Sequence, residues 1–397
     1  MNHSRQPQRR RSRTPLSIAV AVMLSLAATL CAREPKAVPA LVESVQPFVD
    51  RHELAGAVML VADKEGILAV ETVGSADIAA GGKMQPDSMF WIASQTKPIT
   101  AAALMMLVDE GRVRLDDPVE QYLPEFKGQM VVAEKDDQHV LLKRPQHPIT
   151  VREVLSHTSG LPFKSGVEEP TLDLYPLIAR VRSYAMTPLD FEPGTKYQYS
   201  NAGINTAARI IEVVTGTPYE QFLDERLIRP LGMTDTTFWP TEAQAARIAK
   251  SYRPGEGGQG LADTTISQLD YPLTDRTRRT PMPAGGLFST AHDLSRFYRM
   301  LLSGGELDGR RYLSEAAVQE LTRRQTPAEL QQSYGLGFNV SERHFGHGGA
   351  YSTNTTAHTD KGLILIWLVQ HAGFPGEGAK AQEAFRSTAL QFNGATE

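Results

Sequence analysis

The chain has 397 residues and a formal net charge of −4, with 41 basic and 45 acidic side chains. A chain with no net positive charge and no basic stripe lacks the electrostatic footprint of a nucleic-acid-binding protein, which excludes that class of partner. Its single cysteine, Cys31, provides neither a disulfide framework nor a cysteine-based zinc site. The length is sufficient for a large hydrophobic core and two lobes.

The first 32 residues have the layout of a cleaved export signal. Arginines precede an uncharged apolar run over 16–30, which is too short to span a bilayer comfortably. Cleavage after Ala32 would remove five arginines and no acids, leaving residues 33–397 with a net charge of −9, no cysteine and no transmembrane anchor. We therefore expect an exported protein, periplasmic or extracellular.

Two other interpretations of this segment stay open. Arg10 and Arg11 form a pair like that of a twin-arginine signal, and Cys31 could be the acylated cysteine of a lipoprotein. The arginine pair lacks its usual following residues, and Leu30 stands where a lipoprotein signal carries a small residue. A lipoprotein attached through Cys31 is therefore the less favoured alternative.

Short runs of β-forming residues follow the leader. Residues 57–61 and 67–73 are joined by a charged, glycine-containing turn, which predicts an antiparallel hairpin. Residues 94–112 predict a largely buried helix, because 101–108 is continuously apolar and Gly111 stands at its end.

The pattern then changes to helices and long loops over 115–276, punctuated by proline and glycine. Later segments return to regular helix and strand patterns. The expected elements are a hairpin around Gln129–His147, a helix at Ala291–Leu302, strands at Tyr334–Val340 and Leu363–Val369, and a last helix near Ala379–Phe392.

These elements predict an α/β fold of two lobes. The terminal strands would complete one antiparallel sheet with the first hairpin, flanked by helices, so 33–114 and 277–397 are assigned to an α/β lobe. The segment 115–276 would be a mostly helical lobe inserted between them. No internal repeat or low-complexity tract follows the leader.

Ser94 and Lys97 lie three residues apart at the start of the predicted core helix. This spacing places a hydroxyl and an amine on one helical face, where they could exchange a proton. A helix N-terminus also favours developing negative charge, which helps a serine nucleophile whose free pKa is far too high. Ser-x-x-Lys is common by chance, however, and a serine at a helix start is usually an N-cap.

Tyr199 and Asn201 lie two residues apart, after a proline and glycine turn. In an extended segment both side chains would face one cleft, the phenol to carry a proton and the amide to bind Lys97 and a substrate carbonyl. Taken alone, the pair is better explained as an aromatic packing residue beside a turn asparagine.

His347, Gly348, Gly349 and Ala350 precede a strand-forming region near the C-terminus. Two glycines let a substrate approach the backbone closely, as an edge strand lining a cleft requires. The Ala350 N–H could then join the Ser94 N–H as an oxyanion hole. A glycine-rich hairpin turn with an incidental histidine explains the same residues equally well in isolation.

These three elements, in this order and approximate spacing, resemble the Ser-x-x-Lys, Tyr-x-Asn and Lys/His-x-Gly motifs of class C β-lactamase-like and penicillin-binding-protein-like serine hydrolases. The resemblance implies their two-lobed fold and an acyl-serine mechanism on Ser94. His157 would belong to a structural loop of that superfamily. Further segments that resemble it are 90–93, 155–162, 231–236 and 284–291.

The third motif departs from the β-lactamases and transpeptidases, which usually carry Lys-Thr-Gly or Lys-Ser-Gly at His347-Gly348-Gly349. The missing cation and hydroxyl typically hold a substrate carboxylate, and a histidine with a pKa of about 6.5 is mostly neutral at neutral pH. The resemblance therefore implies an esterase acting on a small-molecule ester or amide. The alternatives are a β-lactamase or D-Ala peptidase and, from another class, a non-catalytic penicillin-binding or sensor module.

The proton carriers stay open at this point. A cationic Lys97 would stabilise a Tyr199 phenolate that takes the serine proton, whereas a neutral Lys97 could be the base itself. His347 would polarise or orient substrate and Tyr199, while Asn201 would position Lys97. No cofactor motif is present and His344 and His347 lack a metal-ligand spacing, so we expect neither cofactor nor metal.

Overall fold

The computed structural model of the protein describes residues 1–3 and 35–391. Most of the expected signal segment, with Cys31 and the cleavage site after Ala32, lies outside the described residues. Internal contacts separate Met1–Ala32 from Arg33–Glu397, and the fold is that of the second unit. No helix within the described residues is both long and apolar enough to cross a membrane.

Strands and helices alternate along the described chain. The strands are β1 (Gly56–Ala62), β2 (Ile67–Asp77), β3 (Gly82–Lys83), β4 (Phe90–Trp91), β5 (Val131–Lys135), β6 (Val140–Lys143), β7 (Ser251–Pro254), β8 (Leu261–Thr264), β9 (Phe288–Ser289), β10 (Glu306–Leu307), β11 (Arg310–Arg311), β12 (Asn339–Val340), β13 (His344–Gly348), β14 (Asn354–His358) and β15 (Leu363–Leu368). The α-helices are α1 (Pro39–Asp50), α2 (Thr96–Asp109), α3 (Val119–Tyr122), α4 (Val151–Ser156), α5 (Leu177–Ala185), α6 (Asn201–Thr215), α7 (Tyr219–Leu223), α8 (Glu242–Ala245), α9 (Ala291–Leu302), α10 (Glu315–Thr322) and α11 (Ala381–Ala389).

A seven-stranded sheet with the order β12-β13-β14-β15-β1-β2-β3 forms the centre of the fold. β1 and β15 pair antiparallel with Val58 opposite Leu368, so the first hairpin and the C-terminal strands share one sheet. Every residue of β1 is buried, because helices cover both faces of the sheet. This arrangement confirms the predicted α/β fold with an antiparallel sheet.

The two terminal helices cover one face of this sheet. Leu41 and Val45 lie one turn apart on α1 and are fully buried, and the Phe385 ring of α11 stacks on Trp367 of β15 at 5.8 Å between centroids. These residues share one hydrophobic cluster with the inward side chains of β1 and β15. The sequence patterns considered above did not predict α1.

Helices α2 and α9 pack on the other face. α2 is buried from Thr96 to Leu107, as expected for a core helix, but it begins two residues later than the predicted start at Ser94. A short 3-10 turn, Ala93–Gln95, precedes it and carries Ser94. The predicted hairpin in the helical segment is present, with Val131 of β5 opposite Lys143 of β6.

The expected strand over 334–340 is wrong for most of its length, since only β12 at its end pairs with the sheet. Gly337 has a φ of 77° and donates its N–H to Leu155 O at 3.0 Å, so the chain turns here. A Cβ at Gly337 would lie 2.9 Å from Lys97 O, which shows how closely the turn packs on α2. The last helix is shorter than expected, Ala381–Ala389, and Phe392 lies outside the described residues.

A buried ion pair connects three loops near the helical segment. Arg279 Nε lies 2.7 Å from Asp173 Oδ2, and both side chains are at most 2% exposed. Asp173 Oδ1 also accepts the Asp270 N–H at 2.9 Å, and Arg279 donates to Phe238 O at 3.1 Å. The pair therefore fixes segments that are about a hundred residues apart along the chain.

We expect Asp173→Asn to destabilise the protein by about 3–5 kcal/mol, because the Arg279 charge would stay buried without a counter-charge. The matched control is Glu383→Gln, which removes the charge from a pair whose side chains are both about half exposed and should cost less than about 1 kcal/mol. Urea unfolding measures both. Equal midpoints for Asp173→Asn and wild type would contradict the assigned role of the pair.

Candidate active site

Ser94 is presented by a tight turn between β4 and α2. β4 pairs with β9, and the Ile92 N–H donates to Leu287 O at 3.0 Å, which holds the incoming strand. Ala93 then adopts a φ of 46°, a left-handed conformation that costs a non-glycine residue roughly 1–2 kcal/mol. This turn places the partly exposed Ser94 in the wall of a pocket.

Lys97 is the buried centre of the site, with no exposed surface. Its Nζ lies 3.1 Å from Ser94 Oγ, 2.7 Å from Asn201 Oδ1 and 2.7 Å from Ala284 O. The structure therefore brings the serine, lysine and asparagine predicted from spacing into one hydrogen-bonded group. The Ala284 carbonyl is a further partner that sequence reasoning missed.

None of the three partners of Lys97 carries a negative charge. Asn201 Oδ1 and Ala284 O can only accept hydrogen bonds. A neutral amine gives its two hydrogens to these oxygens and turns its lone pair toward the Ser94 hydroxyl. Burial lowers the pKa of Lys97 well below its ordinary value of 10.5. Burial without a counter-charge thus favours the neutral amine, which could accept the Ser94 proton across the 3.1 Å between Nζ and Oγ.

Tyr199 lies beside Ser94 and Lys97 in the pocket. Ser200 is extended and caps α6 with its side chain, so Tyr199 and Asn201 flank the cap and both reach the site. The Tyr199 and Ser94 side chains line the same pocket, and the Tyr199 ring centroid lies 4.6 Å from Lys97 Nζ. Burial raises the pKa of Tyr199, so the phenol keeps its proton at neutral pH.

A locked turn follows β13 beside the serine. The Gly349 N–H donates to Thr353 O at 2.7 Å, and the Ser352 N–H donates to Gly349 O at 2.9 Å. A Cβ at Gly349 would lie 2.2 Å from Thr353 Oγ1 and 2.6 Å from Ile92 O, so only glycine fits here. The turn is therefore pressed against the residues that precede Ser94.

Two backbone N–H groups lie where this turn meets the Ser94 segment. Neither the Ser94 N–H nor the Ala350 N–H has an acceptor among the described residues. Both residues line the same pocket, together with Gly348 and Gly349. The two N–H groups are thus available to a substrate oxygen, and their role as an oxyanion hole stays a prediction.

His347 is buried, and both of its ring nitrogens form hydrogen bonds with other atoms of the protein. Nε2 lies 3.0 Å from the Tyr334 hydroxyl and Nδ1 lies 2.6 Å from Gly348 O. Burial and the nearby Lys97 lower the pKa of His347 to about 3, so the ring is neutral. His347 lines the Ser94 pocket, so its expected role toward substrate stays a prediction, whereas the Tyr199 and His347 ring centroids lie 6.1 Å apart with no hydrogen bond between the two side chains. Tyr334, its actual partner, was missed because it was assigned to a strand.

His157 contacts the segment that carries Tyr199, and it lies in the loop that was expected to be structural. Its Nδ1 accepts the Ser200 N–H at 3.2 Å. Its ring centroid lies 4.6 Å from that of Tyr199 and 4.7 Å from that of Tyr334. His157 therefore fixes the backbone and the ring of the Tyr199 segment.

The pocket at Ser94 has a volume of about 330 Å³ and an uncharged lining. Its walls include Trp91, Phe163 and Met282, and none of its lining residues is Asp, Glu, Lys or Arg. In the described part of the chain, no three His, Cys, Asp or Glu side chains are grouped to hold a metal ion. A larger cavity of about 460 Å³ beside the β5–β6 hairpin contains none of the predicted site residues.

Comparison with known proteins matches residues 41–389 to the family described as Beta-lactamase. The chain belongs to the beta-lactamase family. Its relatives in this family include an uncharacterised protein of Mycobacterium tuberculosis, 35% identical over 369 residues that cover 83% of this chain and 88% of that protein. Esterase EstB of Burkholderia gladioli is 34% identical over 218 residues, 52% of each chain.

Solved structures show the same beta-lactamase-family fold. The unliganded selenomethionyl structure of simvastatin synthase LovD from Aspergillus terreus has a TM-score of 0.74 and 21% identity, covering 90% of this chain and all of that chain. This likeness shows the fold, and the family match with its esterase-named relative assigns the protein to the hydrolases of the beta-lactamase fold.

In this beta-lactamase-family site, kcat/KM should rise with pH through the pKa of Lys97, because only the neutral amine accepts the serine proton. Below that pKa the protonated lysine is inactive, and the rise should be complete before pH 10.5. Lys97→Arg, cationic at every accessible pH, should lose about 10²–10⁴ in rate, whereas the exposed control Lys361→Arg should lose nothing. A rate that falls as pH rises over this range would contradict the neutral base.

Proposed function

We propose that this protein is an exported serine esterase that hydrolyses small, uncharged carboxylic esters through an acyl-Ser94 intermediate. The uncharged pocket carries the proposal: no lining residue is Asp, Glu, Lys or Arg, and His347 is neutral. A substrate carboxylate would lose its hydration there without gaining a counter-charge. An ester without a carboxylate avoids that cost.

Acylation would use the hydrogen bonds already present. The Ser94 proton passes to the lone pair of Lys97 Nζ as Oγ attacks the ester carbonyl carbon, and the resulting oxyanion accepts from the N–H groups of Ser94 and Ala350. When the bond to the alcohol oxygen breaks, Tyr199 donates its proton to the departing alkoxide. The Lys97 ammonium then reprotonates Tyr199, leaving an acyl-enzyme and a free alcohol.

Deacylation would repeat these steps with water. Water gives a proton to neutral Lys97 as its oxygen attacks the acyl carbon, and the new oxyanion occupies the same two N–H groups. The carboxylic acid leaves as Ser94 Oγ recovers a proton from Lys97. An alcohol in place of water would give a new ester by the same route.

The printed names of relatives support an ester substrate. EstB is named an esterase, and the lovastatin esterase of Penicillium rubens is 27% identical over 303 residues, 73% of each chain. The D-alanyl-D-alanine-carboxypeptidase/endopeptidase AmpH of Escherichia coli, 30% identical over 228 residues, makes peptide hydrolysis the second candidate. A peptide terminus carries a carboxylate, however, and the pocket lining offers it no cation.

Export is the remaining part of the proposal. It is supported by the amino-terminal sequence alone, where five arginines and no acids accompany an apolar run over 16–30. In a periplasmic or extracellular setting the substrate would be an ester that the protein meets outside the cytoplasm.

A matched substrate panel tests the ester assignment. Wild type should hydrolyse p-nitrophenyl butyrate with a kcat/KM at least about 10²-fold above that for the p-nitrophenyl monoester of succinate, because the second ester adds an unpaired carboxylate. A chromogenic cephalosporin should also be a poorer substrate than the butyrate. Ser94→Ala should abolish every activity, and a cephalosporin turned over faster than any ester would contradict the proposal.

A further inference from the structure

A buried line of hydrogen bonds leads to the turn at 348–350, which carries the proposed oxyanion donor. Tyr334 has no exposed surface, and its hydroxyl lies 3.0 Å from His347 Nε2. The other ring nitrogen, Nδ1, lies 2.6 Å from Gly348 O. The line therefore runs from a tyrosine hydroxyl, through a neutral imidazole, to the backbone beside the catalytic serine.

The direction of these hydrogen bonds follows from their partners. A backbone carbonyl only accepts, so His347 Nδ1 carries the hydrogen. Nε2 of the neutral ring is then an acceptor, and the Tyr334 hydroxyl donates to it. The tautomer of a histidine is set by the bond that its other nitrogen makes, so Tyr334 holds the ring in the Nδ1–H form.

The same line fixes the peptide units of the turn. The unit between Gly348 and Gly349 is held at both ends, since its C=O accepts from His347 and its N–H donates to Thr353 O. In the next unit, Gly349 O accepts the Ser352 N–H at 2.9 Å. The N–H of that second unit belongs to Ala350 and is the proposed oxyanion donor.

We infer that Tyr334 is a positioning residue for the oxyanion hole, acting through His347 and the Gly348 carbonyl on the Ala350 N–H. This inference rests on the proposed acyl transfer at Ser94. It also gives the histidine of the third motif a definite task, which is to hold the turn while leaving the pocket uncharged.

Tyr334 has other contacts that a test must separate from this role. Its ring lies 4.7 Å from that of His157 and 5.7 Å from that of Tyr197. Tyr334→Phe keeps the ring and these contacts but removes the hydroxyl. Tyr197→Phe is the matched control, because it removes a phenol from the same aromatic cluster without touching the line to His347.

Loss of the Tyr334 donor should also change how His347 takes up protons. An Nε2 lone pair without a donor binds a proton more readily. The pH profile of kcat for Tyr334→Phe should therefore show an additional decrease at low pH. Several titratable groups face His347 and would affect the same pH profile. They are Lys97 on α2, His157 at the end of α4, Tyr199 before α6, Tyr298 on α9 and Tyr334 itself.

The experiment combines ester kinetics with ¹⁵N NMR of histidine-labelled protein. For Tyr334→Phe we expect kcat for p-nitrophenyl butyrate to fall roughly tenfold, less than the 10²–10³ for losing an oxyanion donor outright, with KM changed less than about twofold. The Nδ1–H signature of His347, assigned with His347→Ala, should be lost or reduced. In the His347→Ala background, Tyr334→Phe should cost less than about twofold.

The outcomes separate this inference from the proposed function. An unchanged kcat in Tyr334→Phe, or the same tenfold loss in the His347→Ala background, overturns the role of Tyr334 and leaves the esterase standing. A loss equal to that of Tyr197→Phe would also overturn it, since packing would then explain both. Absence of ester turnover in wild type with the Nδ1–H signature intact overturns the proposed function instead.

Discussion

The buried amine of Lys97 is the interaction on which the rest of the site depends. An ammonium ion without a carboxylate partner would cost several kcal/mol at a position with no exposed surface. The partners present are two carbonyl oxygens and one hydroxyl, which satisfy a neutral amine completely. They come from a turn before α2, from the first residue of α6 and from the loop before β9, so the fold must bring three distant segments together.

The titratable groups around Lys97 are also held in their uncharged forms. Burial lowers the pKa of His157 and His347 and raises that of Tyr199 and Tyr334, so each stays uncharged. Charge would therefore develop only during reaction, on the substrate oxygen and on Lys97. Fixed N–H groups act strongly on such charge because little water competes with them. The same neutrality supports the proposed preference for esters over substrates that carry a carboxylate.

Sequence reasoning could predict the parts of this arrangement that residue type and spacing carry. Three-residue spacing placed Ser94 beside Lys97, runs of β-forming residues joined by a turn placed β1 and β2, and a continuous apolar run placed α2. It could not find the Ala284 carbonyl, because every residue has a carbonyl and only the fold selects one. It assigned Tyr334 to a strand, since a glycine turn that packs on α2 looks like an extended apolar run. The partners of His347 were missed for the same reason.

The most direct test of the account is to identify the atom that becomes acylated. Wild-type protein and Ser94→Ala would be treated with a fluorophosphonate or an activated ester, followed by intact mass measurement and peptide mapping. The account predicts one adduct per chain, located on Ser94 and absent from the variant, because among the serines in the described part of the chain only Ser94 has a lysine amine within hydrogen-bonding distance. Labelling of another residue, or labelling that survives Ser94→Ala, would contradict it.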